Sequence, residues 1–220
     1  MRRVLAVLLV VLAVAGCGSG SKGARPATNV DTVVASPTTP AGFTVRRVRD
    51  QGFAIAVPKD WRSIDASAAL SGAAVKQFEQ ENPAAAGAVE ALSRPNSPMK
   101  LVAVDPSATS FATNVNVLVS SIPSNAPFGT WTKSEVAQVR ALHPTHVSQG
   151  PVQLAPGKAY RLSYHANLTI RGNPRELAIH QYMIKRGGRL FVITYTTSAA
   201  EEAQRTKTFA ESAQTFDLTT

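Results

Sequence analysis

The spacing of apolar and polar residues divides the chain into alternating strands and helices. Apolar residues alternate with smaller or polar ones over 53–57 and again over 113–120, which is typical of β-strands. Leu118 breaks the polar half of the second pattern, as expected for a sheet covered on both faces. Further strands are predicted from Phe43, over Met99–Val104, and over about 146–154, 158–168, 175–186 and 189–197, the last two joined by Gly187-Gly188 as a hairpin turn.

Helical spacing appears between these strands. Apolar residues recur every fourth position over 66–81, and Asn82-Pro83 predicts the start of a short helix over 83–93. Thr132–Glu135 and Ser198–Glu201 both match the capping-box pattern, so each predicts the start of a further helix. The order of elements is typical of an α+β fold, in which a mainly antiparallel central sheet is covered by helices on both faces.

The N-terminus has the form of a bacterial lipoprotein signal. Arg2-Arg3 precede the apolar run Val4–Ala15, which is shorter than the roughly 20 residues that a membrane-spanning helix needs. The next residues complete Val14-Ala15-Gly16-Cys17, which resembles the lipobox of bacterial lipoproteins. That resemblance implies cleavage between Gly16 and Cys17, with thioether-linked lipid and usually an N-acyl chain on Cys17. The alternative is an ordinary secretory signal followed by a chance cysteine.

Composition agrees with an exported, anchored chain. The single cysteine excludes an intramolecular disulfide and multi-cysteine zinc or iron–sulfur sites. Residues 18–42 are mainly small or polar and predict a flexible tether. We therefore expect a signal peptide over 1–16, a lipid anchor and tether over 17–42, and one globular domain over 43–220.

The net charge bears on possible partners. Cleavage would remove two of the 23 basic residues, and the 21 that remain against 14 acidic ones give the mature chain a formal charge of +7. Such a charge favours anionic headgroups or wall polymers. Nucleic acid is not expected as a partner, because the chain is exported and its basic residues are scattered.

Two stretches of the domain resemble a known superfamily. Gly52–Trp61 is similar to the F-x-I-x-V-P-x-x-W opening of the PsbP-like superfamily, and Tyr182–Phe216 resembles the C-terminal end of the same fold. With the lipobox and tether, the chain looks most like LpqN/LpqT-type lipoproteins of actinobacteria. The resemblance covers about 43–218. It implies an α/β/α sandwich with a central antiparallel sheet and an accessory or binding role without a reaction.

The sequence lacks the usual catalytic motifs. It contains no Gly-x-Ser-x-Gly, no Gly-x-x-x-x-Gly-Lys and no His-Glu-x-x-His. His143 and His146 have a spacing that suits a shared metal, but Pro144 between them favours a structural junction. His165 and His180 lie on predicted neighbouring strands, and no acidic partner is evident nearby. The sequence therefore predicts no catalytic residue, no metal site and no cofactor.

Two clusters are candidate partner surfaces. Arg46, Arg47 and Arg49 form the densest basic cluster of the mature chain, where the tether enters the domain. The alternative is a solvated strand edge, which charged residues protect from pairing. Phe128 and Trp131 lie in a predicted loop over 121–131 and are candidates for a hydrophobic anchor, with packing in the core as the alternative.

The predicted function is that of a membrane-tethered extracytoplasmic lipoprotein. Its domain is expected to bind an envelope protein or a wall or lipid component without transforming it. Two alternatives stay open: a carrier or sensor of an apolar envelope ligand, and a hydrolase of wall or lipid esters.

Overall fold

The computed structural model describes residues 37–65, 76, 80, 86–94, 96–107, 111–170 and 173–219. Gly16, Cys17, most of the predicted tether and most of the helix predicted over 66–81 lie outside the described residues. Within the described ranges, no helix is long and apolar enough to cross a membrane.

The described residues form ten strands, three α-helices and two short 3-10 turns. The strands are β1 (Phe43–Val48), β2 (Phe53–Pro58), β3 (Arg62–Asp65), β4 (Met99–Val104), β5 (Asn114–Ser121), β6 (Thr145–Leu154), β7 (Gly157–Ile170), β8 (Asn173–Arg186), β9 (Arg189–Ser198) and β10 (Asp217–Leu218). The helices are α1 (Ala86–Ser93), α2 (Phe128–Arg140) and α3 (Glu202–Gln214), and the 3-10 turns span Arg49–Gln51 and Ala199–Glu201.

Two antiparallel sheets organise these strands. The larger has seven strands in the order β3-β4-β5-β9-β8-β7-β6, and the smaller has the order β1-β2-β10. Consecutive strands pair antiparallel within each sheet at β1–β2, β3–β4, β4–β5 and from β6 through β9, whereas the short link between β2 and β3 passes from one sheet to the other. The α+β class with a mainly antiparallel sheet is confirmed, while β3 and β10 are strands that the sequence pattern did not predict.

Both faces of the seven-stranded sheet are covered. One face packs against α3 and the small sheet, in a core that includes Phe53, Tyr195, Phe209 and Phe216. The other face holds a second core cluster, which includes Trp131 and Val139 of α2. A strand buried on both faces loses its polar alternation, and the buried run over 177–184 in β8 shows this.

Aromatic packing fixes α3 against the first core. The Phe209 ring stacks on Tyr195 with centroids 5.0 Å apart, and Phe216 stacks on Phe53 at 5.6 Å. Phe209 and Ala213 are buried, as predicted for the apolar side of the C-terminal helix, and Phe216 is also buried but lies two residues after the helix ends at Gln214. Each buried aromatic ring removes a large apolar area from water, which makes this interface a principal source of stability.

The helix starts that the two capping-box patterns predicted both need correction. Helix α2 begins at Phe128, four residues before the predicted cap, and the Thr132 hydroxyl donates to the carbonyl oxygen of Gly129. Glu135 is buried instead of closing a capping box. Ser198 makes no capping hydrogen bond either, since a 3-10 turn separates it from α3. Tertiary packing outweighs the local capping pattern at α2, because the earlier helix start buries Trp131.

Candidate functional site

Three histidines and two glutamates meet on one face of the seven-stranded sheet, beside the first turn of α3. They are His146 of β6, His165 of β7, Glu176 and His180 of β8, and Glu202 of α3. The register pairs His165 with Ala178. Residues 176 and 180 are therefore its diagonal neighbours on the same face, within reach of long side chains.

The Glu202 carboxylate bridges two of the histidines. Its Oε2 lies 2.7 Å from Nε2 of His165, and its Oε1 lies 2.9 Å from Nε2 of His180. The prediction that these two histidines have no acidic partner nearby is therefore wrong. The helix that carries the glutamate follows β9 after one 3-10 turn, and its packing on the sheet brings the carboxylate to both rings.

Burial sets the charge state of this pair. Burial lowers the pKa of His180, and the charge of Glu202 only partly offsets that effect. His180 is therefore neutral at neutral pH. Burial opposes ionisation of Glu202, but the hydrogen bond and charge of His165, together with those of His180, hold the pKa of its carboxyl below the ordinary value. Glu202 is therefore a carboxylate at neutral pH.

Ser163, His180 and Glu202 are connected in the manner of a serine–histidine–acid triad. The Ser163 hydroxyl oxygen lies 3.1 Å from Nδ1 of His180. Ser163 and His180 are, however, only 9% and 8% exposed, and the serine lies within a strand. A nucleophilic serine has to meet its substrate at an accessible turn or cleft. Nε2 of His180 is close to Glu202 but makes no hydrogen bond among the described residues, and the buried serine offers the hydrolase alternative no accessible nucleophile.

His146 joins the cluster from an irregular part of β6. Thr145 pairs with His165 and Ser148 with Ser163, and the register shifts between these two pairs. His146 has a φ of 54°, in the left-handed region that few non-glycine residues adopt. The centroids of the His146 and His165 rings are 4.5 Å apart. The shift places Thr145 rather than His146 directly opposite His165, and the His146 ring nevertheless lies against the His165 ring.

Glu176 completes the exposed side of the cluster. Its Oε1 lies 3.4 Å from Nδ1 of His165, and its side chain is 47% exposed. One ligand atom from each of His146, His165 and Glu176 lies within 4.8 Å of the other two. These three residues have the chemistry and spacing to hold a metal ion. His143, which the sequence paired with His146, is not in this set.

The arginine cluster is split by the geometry of β1. Successive strand residues point to opposite faces, so Arg46 and Arg47 diverge. Arg46 is half-buried, and its Nε has no hydrogen-bond partner among the described residues. Arg47 and Arg49 are exposed. Arg47 and Arg49 are thus the accessible members, and their role as a partner surface stays a prediction.

The two aromatic candidates belong largely to the core. Trp131 is 9% exposed and packs in the cluster under α2. Phe128 is partly buried against the same cluster, in the first turn of the helix. The structure therefore places Trp131 in the packing role that the sequence left as its alternative. Contact of Phe128 with a partner stays a prediction.

Sequence reasoning missed both glutamates of the histidine cluster. The predicted strands 158–168 and 175–186, read as a symmetric hairpin, already imply that His165 opposes Ala178. That pairing would have brought Glu176 and His180 beside His165. Glu202 had no comparable signal, because its position depends on how α3 packs.

Comparison with known proteins finds likeness among solved structures. No protein-family model matches the chain, and no curated protein sequence matches it. LpqN of Mycobacterium tuberculosis, described as involved in cell envelope biogenesis, is 12% identical over 81% of this chain and 91% of its own, with a TM-score of 0.49. The cyanobacterial PsbP protein of Synechocystis sp. PCC 6803 is 14% identical over 81% of this chain and 94% of its own, with a TM-score of 0.48. The Ran-binding protein Mog1p of Saccharomyces cerevisiae is 13% identical over 80% of this chain and 95% of its own, with a TM-score of 0.47.

These neighbours include a PsbP protein, from the superfamily whose motifs the sequence resembles. At such low identity the likeness concerns the fold and carries nothing about function. Membership of the LpqN/LpqT type of actinobacterial lipoproteins stays a prediction from the sequence.

Proposed function

We propose that the chain is a lipid-anchored module on the extracytoplasmic face of the cell membrane. Its domain binds an envelope protein or a wall or lipid component without transforming it. One observation carries this proposal: the only cysteine stands directly after Val14-Ala15-Gly16, at the end of a basic and then apolar N-terminal segment. That is the position where lipidation needs a thiol.

Anchoring by lipid is energetically sufficient for stable attachment. Each methylene that enters the bilayer contributes about 0.8 kcal/mol, so two or three acyl chains hold far more firmly than one. The domain begins at β1, directly after the predicted tether. The exposed side chains of Arg47 and Arg49 lie at this entry, where a basic surface gains attraction from anionic headgroups.

The candidate site also supports binding over turnover. Its serine and one of its histidines are buried, while the side of the cluster that reaches solvent offers histidine and carboxylate groups. Such groups can bind an ion or a polar partner without bond cleavage. A fluorophosphonate probe that labels Ser163 in the folded protein would contradict this part of the proposal.

Lipidation is tested by Cys17→Ala in the full chain, with Ser19→Ala as the matched control. We expect Cys17→Ala to accumulate as unprocessed precursor without the acyl mass, because neither lipid transfer nor the following cleavage can occur. Ser19→Ala should be processed and retained like the wild type. Normal processing and membrane retention of Cys17→Ala would overturn the anchor.

Binding at β1 is tested by photo-crosslinking in the native membranes. We expect the double variant Arg47→Ala/Arg49→Ala to lose the crosslinked species that the wild type gives. Lys133→Ala/Arg140→Ala removes the same charge from exposed positions on α2, behind the opposite face of the large sheet, and should keep those species. Equal crosslinking by both double variants would exclude β1 as the contact surface.

A further inference from the structure

We propose that His146, His165 and Glu176 form a binding site for a divalent transition-metal ion of the zinc class. The inference concerns the folded domain and does not depend on the lipid anchor. Two imidazoles and one carboxylate, each from a different strand of one sheet edge, provide three protein ligands. An open fourth position on the solvent side would hold water, as in zinc sites with three protein ligands.

The distances suit a common ion. Ligand atoms about 2.0–2.2 Å from one zinc ion stand roughly 3.3 Å from each other in a tetrahedron. Nδ1 of His165 and Oε1 of Glu176 are already 3.4 Å apart. All three ligand atoms lie within 4.8 Å of one another. His146 and Glu176 are both exposed, so small side-chain rotations close the remaining gap.

Glu202 prepares the central ligand. The bond of 2.7 Å between its Oε2 and Nε2 of His165 places the ring proton on Nε2. Nδ1 faces the Glu176 carboxylate at 3.4 Å, on the side of the ring away from Glu202, so it is the ring atom placed to ligate the metal. Metal-bound histidines almost always donate their other N–H to a carboxylate or carbonyl, and Glu202 supplies that partner.

The irregular backbone at His146 supports the same assignment. A regular β6 that pairs Ser148 with Ser163 would pair His146 with His165, whereas the register shift places Thr145 opposite His165 instead. The left-handed φ of 54° costs free energy in a non-glycine residue, and in this strained conformation the imidazole lies against that of His165, with ring centroids 4.5 Å apart. Histidine and carboxylate ligands favour zinc, copper or nickel over magnesium or calcium, which prefer oxygen alone.

The experiment titrates Zn²⁺ alone into the full mature protein, in competition with a chromophoric chelator. We expect one ion per chain. His146→Asn and His165→Asn should abolish chelator competition, and Glu202→Gln should weaken affinity by about 10–100-fold, because Glu202 orients His165 without being a ligand itself. His143→Asn is the matched control: it removes an exposed histidine three positions from His146, and affinity should be unchanged.

A second measurement separates ligation from misfolding. Ring ¹⁵N shifts should show Zn²⁺ bound at Nδ1 of His165 while Nε2 keeps its proton. Thermal melts with excess chelator should show that His146→Asn, an exposed position, folds like the wild type. Absence of one-to-one binding, equal affinity of His146→Asn and His143→Asn, or ligation through Nε2 of His165 would each overturn the site. Because none of these results involves Cys17, the site and the anchor stand or fall separately.

Discussion

Replacing Glu135 by glutamine should stabilise the domain at neutral pH and remove part of its pH dependence. Glu135 is only 6% exposed, and burial raises the pKa of its carboxyl above the ordinary value of 4.5, against a smaller lowering by the hydrogen bond that Gln181 donates. The Nε2 of Gln181 lies 3.2 Å from Oε1 of Glu135. The substitution keeps a side-chain oxygen to accept this bond and removes the buried charge.

The sign follows from proton linkage. With a raised pKa, the folded state binds more protons than the unfolded state between pH 4.5 and the raised value. Stability contributed by this group is therefore present at low pH and is lost as pH rises through that window. Each unit of raised pKa costs about 1.4 kcal/mol at neutral pH. The glutamine side chain does not titrate, so it carries no such penalty.

The magnitude comes from the desolvation of one polar group. A buried group without full hydrogen bonding costs about 1–3 kcal/mol, and more when charged, so we expect a gain of at least about 1 kcal/mol at pH 7. The introduced amide can also donate to Oε1 of Gln181, which is buried without a partner among the described residues. In a domain of this size, 1 kcal/mol moves the Tm by about 2–4 °C.

Urea unfolding at a series of pH values between 4.5 and 7.5 measures this effect. The free energy of unfolding of Glu135→Gln should exceed that of the wild type at pH 7, and the difference should shrink towards pH 4.5. Glu90→Gln is the control, because its side chain is 69% exposed and its change should stay within about 0.5 kcal/mol. A variant less stable than the wild type at pH 7, or a difference independent of pH, would refute the reasoning.

Three further substitutions test other parts of the core by urea unfolding. Phe209→Ala removes a ring that is 1% exposed and should cost about 3–5 kcal/mol; a loss below about 1 kcal/mol would contradict its place in the core. Arg205→Met removes the cation that lies 2.7 Å from the buried Asp105 carboxylate and should cost about 3 kcal/mol; an unchanged free energy of unfolding would show that the pair does not form. Thr215→Val leaves the Ala56 amide, which donates to the threonine hydroxyl at 2.7 Å, without its acceptor and should cost about 1–3 kcal/mol, whereas an unchanged midpoint would show another acceptor.

The strands could be predicted because their signal is local. Alternation over 53–57 and the Gly187-Gly188 turn each determine a strand or a hairpin without knowledge of the rest of the chain. The start of α2 was missed because it depends on burying Trp131 under the sheet, which outweighs the capping pattern four residues later. Strand β10 was missed because two residues carry too little periodicity, and only pairing with β2 defines it.

The histidine cluster shows the same division. Its β7–β8 part follows from hairpin symmetry, which pairs His165 with Ala178. Its two other members depend on features that the pattern does not encode: the irregular course of β6 at His146, and the packing of α3 that brings Glu202 to both rings. The cluster joins three strands and a helix, so its members are far apart in sequence and no local pattern links them.

The intact mass of the protein extracted from its own membranes tests the central claim most directly. A lipid-anchored module predicts a chain that starts at Cys17, lacks residues 1–16, and carries a diacylglyceryl group on that cysteine, usually with an N-acyl chain. A chain that keeps residues 1–16, or one cleaved elsewhere with a free thiol on Cys17, would contradict it.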